Sequence, residues 1–175
     1  MGGVARFMHV SSQRFCADWR VVFADAAIPE PPPLPHRATA GSAGYDFFSP
    51  LAFSLAPGES LRIPTGVRAC IDDGWVLMLF PRSGLGFKYR LQLNNTVGIV
   101  DADYFGARNE GHIFIKLFNA GDRAISVEAG EAFAQGVLLP FGLTDDDDAC
   151  GERTGGFGST GAKGTGARDA GASGQ

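Results

Sequence analysis

The sequence predicts an all-β domain, a sandwich or barrel of many short strands, and three observations support this prediction. The apolar segments are short, and turn signals rich in Gly, Pro, Asn and Asp separate them. The 175-residue chain contains 25 glycines and 10 prolines, a composition typical of a chain that turns often. No long segment repeats its apolar residues with the helical period and capping residues. A chain of this length is expected to form one domain with a full core.

The predicted strands follow a proline-rich lead-in and border on turns. Residues 31–33 are three prolines, which predict an extended segment. The apolar segments that we expect to form strands lie at 51–55, 75–80, 112–118 and 132–141. The turn signals beside them lie at 56–58, 72–74, 119–122 and 129–130. One turn of helix is expected near 83–88.

Composition argues against several classes of function. The chain is 45% hydrophobic with 14 phenylalanines, so a packed globule is expected. Its net charge of −4 argues against a nucleic-acid partner, which would require clustered Lys and Arg. No apolar run reaches the length of about 18 residues that a membrane span needs. The three cysteines form no CxxC pair, which favours an intracellular location (cytoplasmic, or nuclear or organellar in a eukaryote) over secretion.

We divide the chain into four segments. Residues 1–20 are an N-terminal arm of unknown role, with a transit peptide as the alternative interpretation. Residues 21–143 form the β domain. Residues 144–161 comprise an acidic linker and a Gly-rich tail, and residues 162–175 are expected to be disordered because they are rich in Gly, Ala and Ser.

The Gly-rich tail has the sequence RTGGFGSTG at 153–161. It cannot bury a core, but it holds groups that can wrap a nucleotide. Phe157 offers a ring face for a base, and Arg153 offers a charge for phosphate. Backbone N–H groups and hydroxyls offer hydrogen bonds to phosphate oxygens. For this segment alone, a passive flexible tail is the alternative.

Four shorter motifs precede the tail: AGYD at 43–46, FPRSGLG at 80–86, NNTVGIVDADYFG at 94–106 and FAQ at 133–135. In this order, the five motifs resemble those of the trimeric dUTP diphosphatase (dUTPase) family from about residue 21 to residue 161. The resemblance implies a jelly-roll protomer and a homotrimer in which three chains contribute to each active site. It also implies hydrolysis of dUTP to dUMP and pyrophosphate, which limits uracil incorporation into DNA and supplies dUMP for thymidylate synthesis. The mobile tail of one subunit would close over the substrate.

The resemblance assigns the contacts to base and sugar to five residues. Asn95 matches the residue at the uracil pocket, where its amide complements the base, and backbone groups at Gly98 and Ile99 complete the pocket. Tyr104 matches a tyrosine whose ring packs under the deoxyribose and leaves no room for a 2′-hydroxyl. Phe157 matches the aromatic residue that covers the base.

Asp101 is the candidate catalytic base, because it follows an apolar segment and is expected at a strand end beside a partly desolvated site. There a carboxylate can hold a water molecule for in-line attack on a phosphate. The resemblance assigns this role to the matching aspartate. From the motif alone, a turn aspartate that accepts backbone hydrogen bonds is the alternative. Asp103 is expected to be structural.

The phosphate contacts and the cofactor also follow from the resemblance. The phosphate-binding residues it implies are Arg82, Ser83, Gly84, Gln135, Arg153, Gly158, Ser159 and Thr160. The implied cofactor is Mg²⁺, held mainly by the triphosphate and water, with Asp46 near the metal or supporting it. Such a site needs no cluster of Cys and His ligands.

The chain departs from the family pattern in three places. The tail has one residue fewer than usual between Arg153 and its first glycine. Ala132 stands where the family often has an arginine. Residues 107–111 look like an insertion that lengthens a loop near the site.

Two other functions remain as alternatives. A dCTP deaminase would share the fold, but it uses a glutamate base beside an arginine and lacks the FGST tail pattern. A non-catalytic dUTPase-like regulator would have lost the base or the tail. Asp101 and the tail motif are both present, which favours hydrolysis.

Overall fold

The computed structural model describes residues 2–151. Within this range the chain forms two α-helices, one 3-10 helix and eleven strands. The helices are α1 (Ser12–Phe23), α2 (Ser83–Tyr89) and the 3-10 helix Ala102–Gly106. The strands are β1 (Ala5–His9), β2 (Tyr45–Phe48), β3 (Phe53–Leu55), β4 (Ser60–Pro64), β5 (Val67–Ile71), β6 (Trp75–Pro81), β7 (Leu91–Leu93), β8 (Gly98–Val100), β9 (Phe114–Asn119), β10 (Ile125–Val127) and β11 (Ala132–Pro140).

The pairings between these strands are antiparallel, and the all-β prediction is confirmed. The largest sheet has the order β2-β11-β6-β8, and a second sheet has the order β4-β9-β7. β1 pairs with β5, and β3 pairs with β10. β6 therefore lies between β8, which belongs to motif 94–106, and the long strand β11, which contains motif 133–135.

Side-chain alternation along the strands builds the core. In β9, Ile115 and Leu117 are buried while Lys116 between them is exposed. β6 contributes Leu77 and Leu79 to the same interior. Because successive side chains point to opposite faces of a strand, this pattern places one face of each sheet against the apolar interior. The hydrophobic effect of that burial is the main stabilising contribution to the domain.

The prediction that no long segment forms a capped helix is wrong, because Ser12–Phe23 form α1. The Ser11 side chain caps the helix by accepting a hydrogen bond from the Arg14 backbone N–H at 3.1 Å. Phe15, Trp19 and Phe23 recur at every fourth position and form a small apolar cluster of their own. Together with Val22 they follow the i, i+4, i+7, i+8 spacing of an amphipathic helix, so the sequence carried a signal that the prediction missed.

The N-terminal arm is attached to the domain along its length. β1 pairs with β5 from Ala5 opposite Ile71 to His9 opposite Val67. The boundary that we drew after residue 20 falls inside α1.

The short helix predicted near 83–88 is confirmed as α2, which extends to Tyr89. It ends where Arg90 adopts a left-handed conformation with φ of 57°. In the described part of the chain, neither α-helix is long and apolar enough to cross a membrane. After β11, residues 141–151, with the acidic run, are exposed.

Candidate active site

Asn95 lies in a tight turn that joins β7 to β8. The Thr96 N–H donates to the Leu93 carbonyl at 2.9 Å, and the Val97 N–H donates to the Asn95 carbonyl at 2.7 Å. Thr96 occupies the left-handed region with φ of 68°, which allows the chain to reverse within so few residues. The turn therefore presents an exposed Asn95 side chain at the crossing from one sheet to the other.

Gly98 sets how closely β8 approaches the neighbouring strand β6. It pairs with Leu79, and a Cβ added at Gly98 would lie 3.0 Å from the Leu79 Cβ. A residue without a side chain is therefore needed for this approach. The next residue, Ile99, is 44% exposed.

A cavity of about 420 Å³ lies beside the turn that carries Asn95. Asn95 and Gly98 both line it, so the structure brings two predicted base-site residues together. Ile99 does not belong to the lining formed by residues 2–151. Further lining residues, which the sequence did not predict, include Asp18, Arg62, Asn109 and Lys116. A signal was available for Asn109, because it lies in the segment that looks like an insertion.

Tyr104 lies in the 3-10 helix and is 2% exposed. Its hydroxyl donates to the His112 carbonyl at 2.7 Å and accepts from Asn109 Nδ2 at 2.7 Å. The side chain is therefore fixed at both the ring and the hydroxyl. A ligand can contact only a small part of its surface in this chain.

Asp101 lies where the sequence predicts it, directly after β8 and before the 3-10 helix. It is half-buried, and its carbonyl accepts from the Tyr104 N–H at 3.2 Å. The exposed Asp103 lies within the 3-10 helix. The backbone therefore connects the candidate base directly to the candidate sugar contact.

Two of the predicted phosphate residues, Arg82 and Gln135, lie close to Asp46 near the end of β6 in the large sheet. Arg82 Nη2 lies 3.4 Å from Asp46 Oδ2, and Gln135 Nε2 donates to the Pro81 carbonyl at 3.2 Å. Asp46 and Gln135 are opposite each other in the pairing of β2 with β11. A Cβ at Gly44 would collide with Gln135 Oε1, so the glycine of the first motif leaves room for the glutamine of the fourth.

Ser83 and Gly84 occupy the first positions of α2 and are exposed. The extended backbone of Arg82 precedes them, and its N–H donates to the Phe133 carbonyl at 3.2 Å. Motif 80–86 is thus tied to β11 while its polar groups stay accessible.

Among residues 2–151, the lining of the cavity beside this turn includes Asn95 but none of Arg82, Ser83, Gly84 or Gln135. Five predicted residues, Arg153, Phe157, Gly158, Ser159 and Thr160, lie outside the described residues.

The donor groups fit an ion that takes few ligands from the protein. Within residues 2–151, no three His, Cys, Asp or Glu side chains are placed to hold a metal ion. The Asp46 carboxylate faces the Arg82 guanidinium. This donor set is compatible with Mg²⁺ held mainly by substrate oxygens and water.

Sequence reasoning missed a buried group of side chains behind the cavity. Asp18 Oδ2 lies 2.6 Å from His112 Nδ1, and the His112 side chain has no exposed surface. Burial lowers the pKa of the His112 imidazole below its usual value, although the Asp18 carboxylate acts in the opposite direction. The two partners are 94 residues apart in sequence, so no local pattern could reveal them.

The family model described as dUTPase matches residues 30–161, a range that contains all five motifs. The chain belongs to the dUTPase family. The deoxyuridine 5'-triphosphate nucleotidohydrolase of Lactococcus lactis is 46% identical to this dUTPase over 132 residues, which are 74% of this chain and 88% of the relative. The enzyme of the same name from Escherichia coli K12 is 40% identical over 137 residues, with coverages of 74% and 87%.

Solved structures support the same assignment. The crystal structure of dUTPase from Streptococcus mutans matches with a TM-score of 0.60 and 36% identity, and covers 79% of this chain and 98% of that one. A mutant dUTPase from phage phi11 of S. aureus, described with a structural Mg(II) ion, matches with a TM-score of 0.61. At 22% identity it supports the fold alone. The jelly-roll prediction is confirmed.

Proposed function

We propose that this dUTPase converts dUTP and water into dUMP and pyrophosphate. The observation that carries the proposal is the family match over residues 30–161, which contains every motif of the predicted site. The activity removes a nucleotide that would otherwise place uracil in DNA, and its product dUMP supplies thymidylate synthesis.

The base contacts that we propose come from the turn before β8, from β8 itself and from the tail. Asn95 hydrogen-bonds uracil through its amide, which has both donors and acceptors. The backbone at Gly98 and Ile99 completes the set of partners. The close approach of Gly98 to Leu79 supports this role, because it leaves backbone rather than side chain at the cavity wall. Phe157 covers the base by stacking.

Tyr104 distinguishes deoxyribose from ribose by shape in this proposal. Its ring is held rigidly, with 2% exposure and two hydrogen bonds at the hydroxyl. A ring that cannot move aside can exclude the 2′-hydroxyl of UTP.

We expect Tyr104→Ala to reduce the preference for dUTP over UTP by about 10- to 100-fold, the range in which a pocket rejects one added hydroxyl. Hydrolysis of dUTP should weaken as well. The ratio of the two kcat/KM values measures the effect. Tyr104→Leu keeps more apolar volume and replaces Tyr104→Ala in the test if that variant does not fold. Tyr89→Ala on α2 is the control. An unchanged ratio in a folded Tyr104 variant would show that the ring is not the sugar filter.

The proposed phosphate contacts lie at the end of β6 and in the tail. Arg82 offers a planar set of donors, and Asp46 holds it at 3.4 Å. Ser83 and Gly84 add a hydroxyl and an unobstructed N–H. Gln135 contacts a phosphate oxygen. The remaining phosphate contacts come from Arg153, Gly158, Ser159 and Thr160.

Asp101 serves as the general base in this proposal. It orients a water molecule and accepts its proton as the water attacks a phosphate. Its fixed position between β8 and the 3-10 helix supports the assignment.

The proposed cofactor is Mg²⁺. When bound, it neutralises charge on the triphosphate oxygens. Asp46 would support it from the protein side, as an acceptor for water molecules bound to the ion. Family membership supports the cofactor.

The proposed assembly is a homotrimer with shared active sites. Among residues 2–151, Asn95 lines the cavity while Arg82 and Gln135 do not, which supports sharing. Exposed apolar side chains support an interface, including Phe87 at 93% and Leu143 at 72% exposure.

The 175-residue chain is expected to scatter light as a particle of three times 18.4 kDa. The shared-site arrangement requires this size, because a tail is not expected to serve the pocket of its own chain. Light scattering coupled to gel filtration measures it, and dUTP turnover of the same fractions is the companion measurement. A fully active monomer would contradict the arrangement.

We place the enzyme inside the cell, with dUTP and its own subunits as partners and neither nucleic acid nor membrane among them. The three cysteines are free thiols, which suits a reducing compartment.

One assay tests the proposed activity directly. The protein is incubated with dUTP, dCTP, dTTP or UTP in the presence of Mg²⁺, and pyrophosphate and ammonia are measured. Pyrophosphate from dUTP alone is the expected result. Ammonia from dCTP would indicate a deaminase, and no product from any nucleotide would indicate a non-catalytic protein.

A further inference from the structure

The hydroxyl of Tyr104 is held by a loop outside its own helix. It donates to the His112 carbonyl and accepts from Asn109 Nδ2, each at 2.7 Å. Asn109 Nδ2 also donates to the His112 carbonyl at 3.2 Å. The orientation of the hydroxyl is therefore defined on both its donor and its acceptor side, and the loop that carries Asn109 and His112 determines it.

The His112 ring is fixed through both of its nitrogens. The Gly66 N–H donates to Nε2 at 2.8 Å, so Nε2 is the acceptor and Nδ1 carries the proton. Nδ1–H then donates to Asp18 Oδ2 at 2.6 Å. The ring packs between Phe15 and Phe114, with centroid distances of 6.2 Å and 4.7 Å. Neutral His112 is thus an anchor that joins β9 and its preceding loop to α1.

The beginning of α1 is joined to the same loop. Glu110 accepts from the Ser11 N–H at 2.8 Å and from the Ser11 hydroxyl at 2.7 Å. These two bonds, the backbone one first, hold the pKa of Glu110 below its usual value. Asp18 is itself held by Arg14 at 3.1 Å. Helix α1 and its N-cap therefore form hydrogen bonds to the loop at residues 110 and 112, on either side of Gly111.

These hydrogen bonds hold the loop in close contact with the 3-10 helix. Gly111 has φ of 69°, and a Cβ there would lie 2.7 Å from the Tyr104 carbonyl oxygen. Asp18 and Asn109 also line the cavity that contains Asn95. Asp18 and Asn109, which belong to the series of contacts between α1 and Tyr104, are therefore also part of the wall of the proposed base site.

We propose that α1 and the loop at 107–112 set the sugar selectivity of the enzyme, with Asp18 and Asn109 as positioning residues that hold the Tyr104 ring in place. The inference rests on the proposed role of Tyr104 as the sugar filter. It gives the N-terminal arm a role in the reaction: the arm acts on the substrate through Tyr104.

The test measures kcat/KM for dUTP and UTP with Mg²⁺ in variants of the 175-residue chain. Asp18→Leu removes the acceptor for His112, and we expect the dUTP-to-UTP ratio to fall by about two- to tenfold, the worth of one buried hydrogen bond. Asp18→Asn keeps an acceptor oxygen and should restore most of the ratio. Arg20→Ala, on the exposed side of α1, should leave the ratio unchanged.

Two further variants separate positioning from stability. Trp19→Leu weakens the packing of α1 without touching the hydrogen bonds to Tyr104, so it should lower the melting temperature but keep the ratio. Asn109→Ala acts directly at the hydroxyl and should lower the ratio even if Asp18→Leu does not fold. In a Tyr104→Phe background, which lacks the hydroxyl, Asp18→Leu should cause no further change.

The outcomes distinguish this inference from the proposed function. If Tyr104→Ala changes the ratio while Asp18→Leu and Asn109→Ala leave it unchanged, the positioning role is overturned alone. Additive effects of Asp18→Leu and Tyr104→Phe, or an equal shift from Trp19→Leu, also overturn it. If Tyr104→Ala leaves the ratio unchanged, the sugar filter fails and this inference fails with it.

Discussion

Asp101→Asn is expected to lower the turnover of dUTP by about 10²–10⁴-fold, the usual contribution of general-base catalysis. The amide has nearly the shape of the carboxylate, but it cannot accept the proton of the attacking water. Asp101 lies between β8 and the 3-10 helix, and its backbone carbonyl accepts from the Tyr104 N–H, a hydrogen bond that the change leaves in place. Binding of dUTP should therefore persist while the chemical step slows. Single-turnover measurements with saturating enzyme separate the two.

The control for this variant is Asp73→Asn, an identical change in the exposed turn before β6. It should leave turnover within a few-fold of the original. Near-normal turnover of Asp101→Asn, with its fold verified by circular dichroism, would rule out the carboxylate as the base.

Removal of the chain after Cys150 is expected to leave a folded protein that hydrolyses dUTP poorly. β11 ends at Pro140, and residues 141–151 are exposed, so the described core does not depend on the removed segment. Residues 151–175 are also too rich in glycine and polar groups to contribute a core. Arg153 and Phe157 are lost together with the phosphate contacts. Loss of base stacking alone costs about 1–3 kcal/mol, and an open site also admits water.

A shorter truncation after Gly161 is the matched control, because it removes the same kind of sequence but keeps the whole motif. It should retain its activity. The milder variant Phe157→Trp should change its fluorescence when a non-hydrolysable dUTP analogue is added. An active protein after truncation at Cys150, or an unaltered signal at saturation, would show that the tail is a passive linker.

The fold and the family could be predicted because their signals are local. Turns such as 72–74 and 56–58 separate short apolar segments, and the motifs keep their order along the chain. The strand-end position of Asp101 also follows from its neighbours, since an apolar run directly precedes it. A strand, its turn and the polar residue after it lie within about a dozen positions, the range that sequence patterns describe well.

The attachment of the arm and the wall of the cavity could not be predicted, although α1 itself carried a signal. Phe15, Trp19, Val22 and Phe23 have a helical spacing, but the residues to which the arm binds are distant in sequence. The partners of Ser11 and Asp18 lie 99 and 94 residues further along the chain. The near-complete burial of Tyr104 could not be predicted for the same reason. Its hydroxyl donates to the His112 carbonyl, and the His112 ring is bonded to Asp18, which is distant in sequence.

These long sequence separations have a consequence for the order in which the protein is assembled during translation. At about 5–20 residues per second, Glu110 and His112 emerge from the ribosome several seconds after α1. An isolated helix shorter than about 12–15 residues is barely stable in water, so α1 is not expected to persist alone. The first helix to be synthesised is therefore stabilised only after most of the strands have been synthesised. Until then, Phe15, Trp19 and Phe23 remain exposed and can bind molecular chaperones.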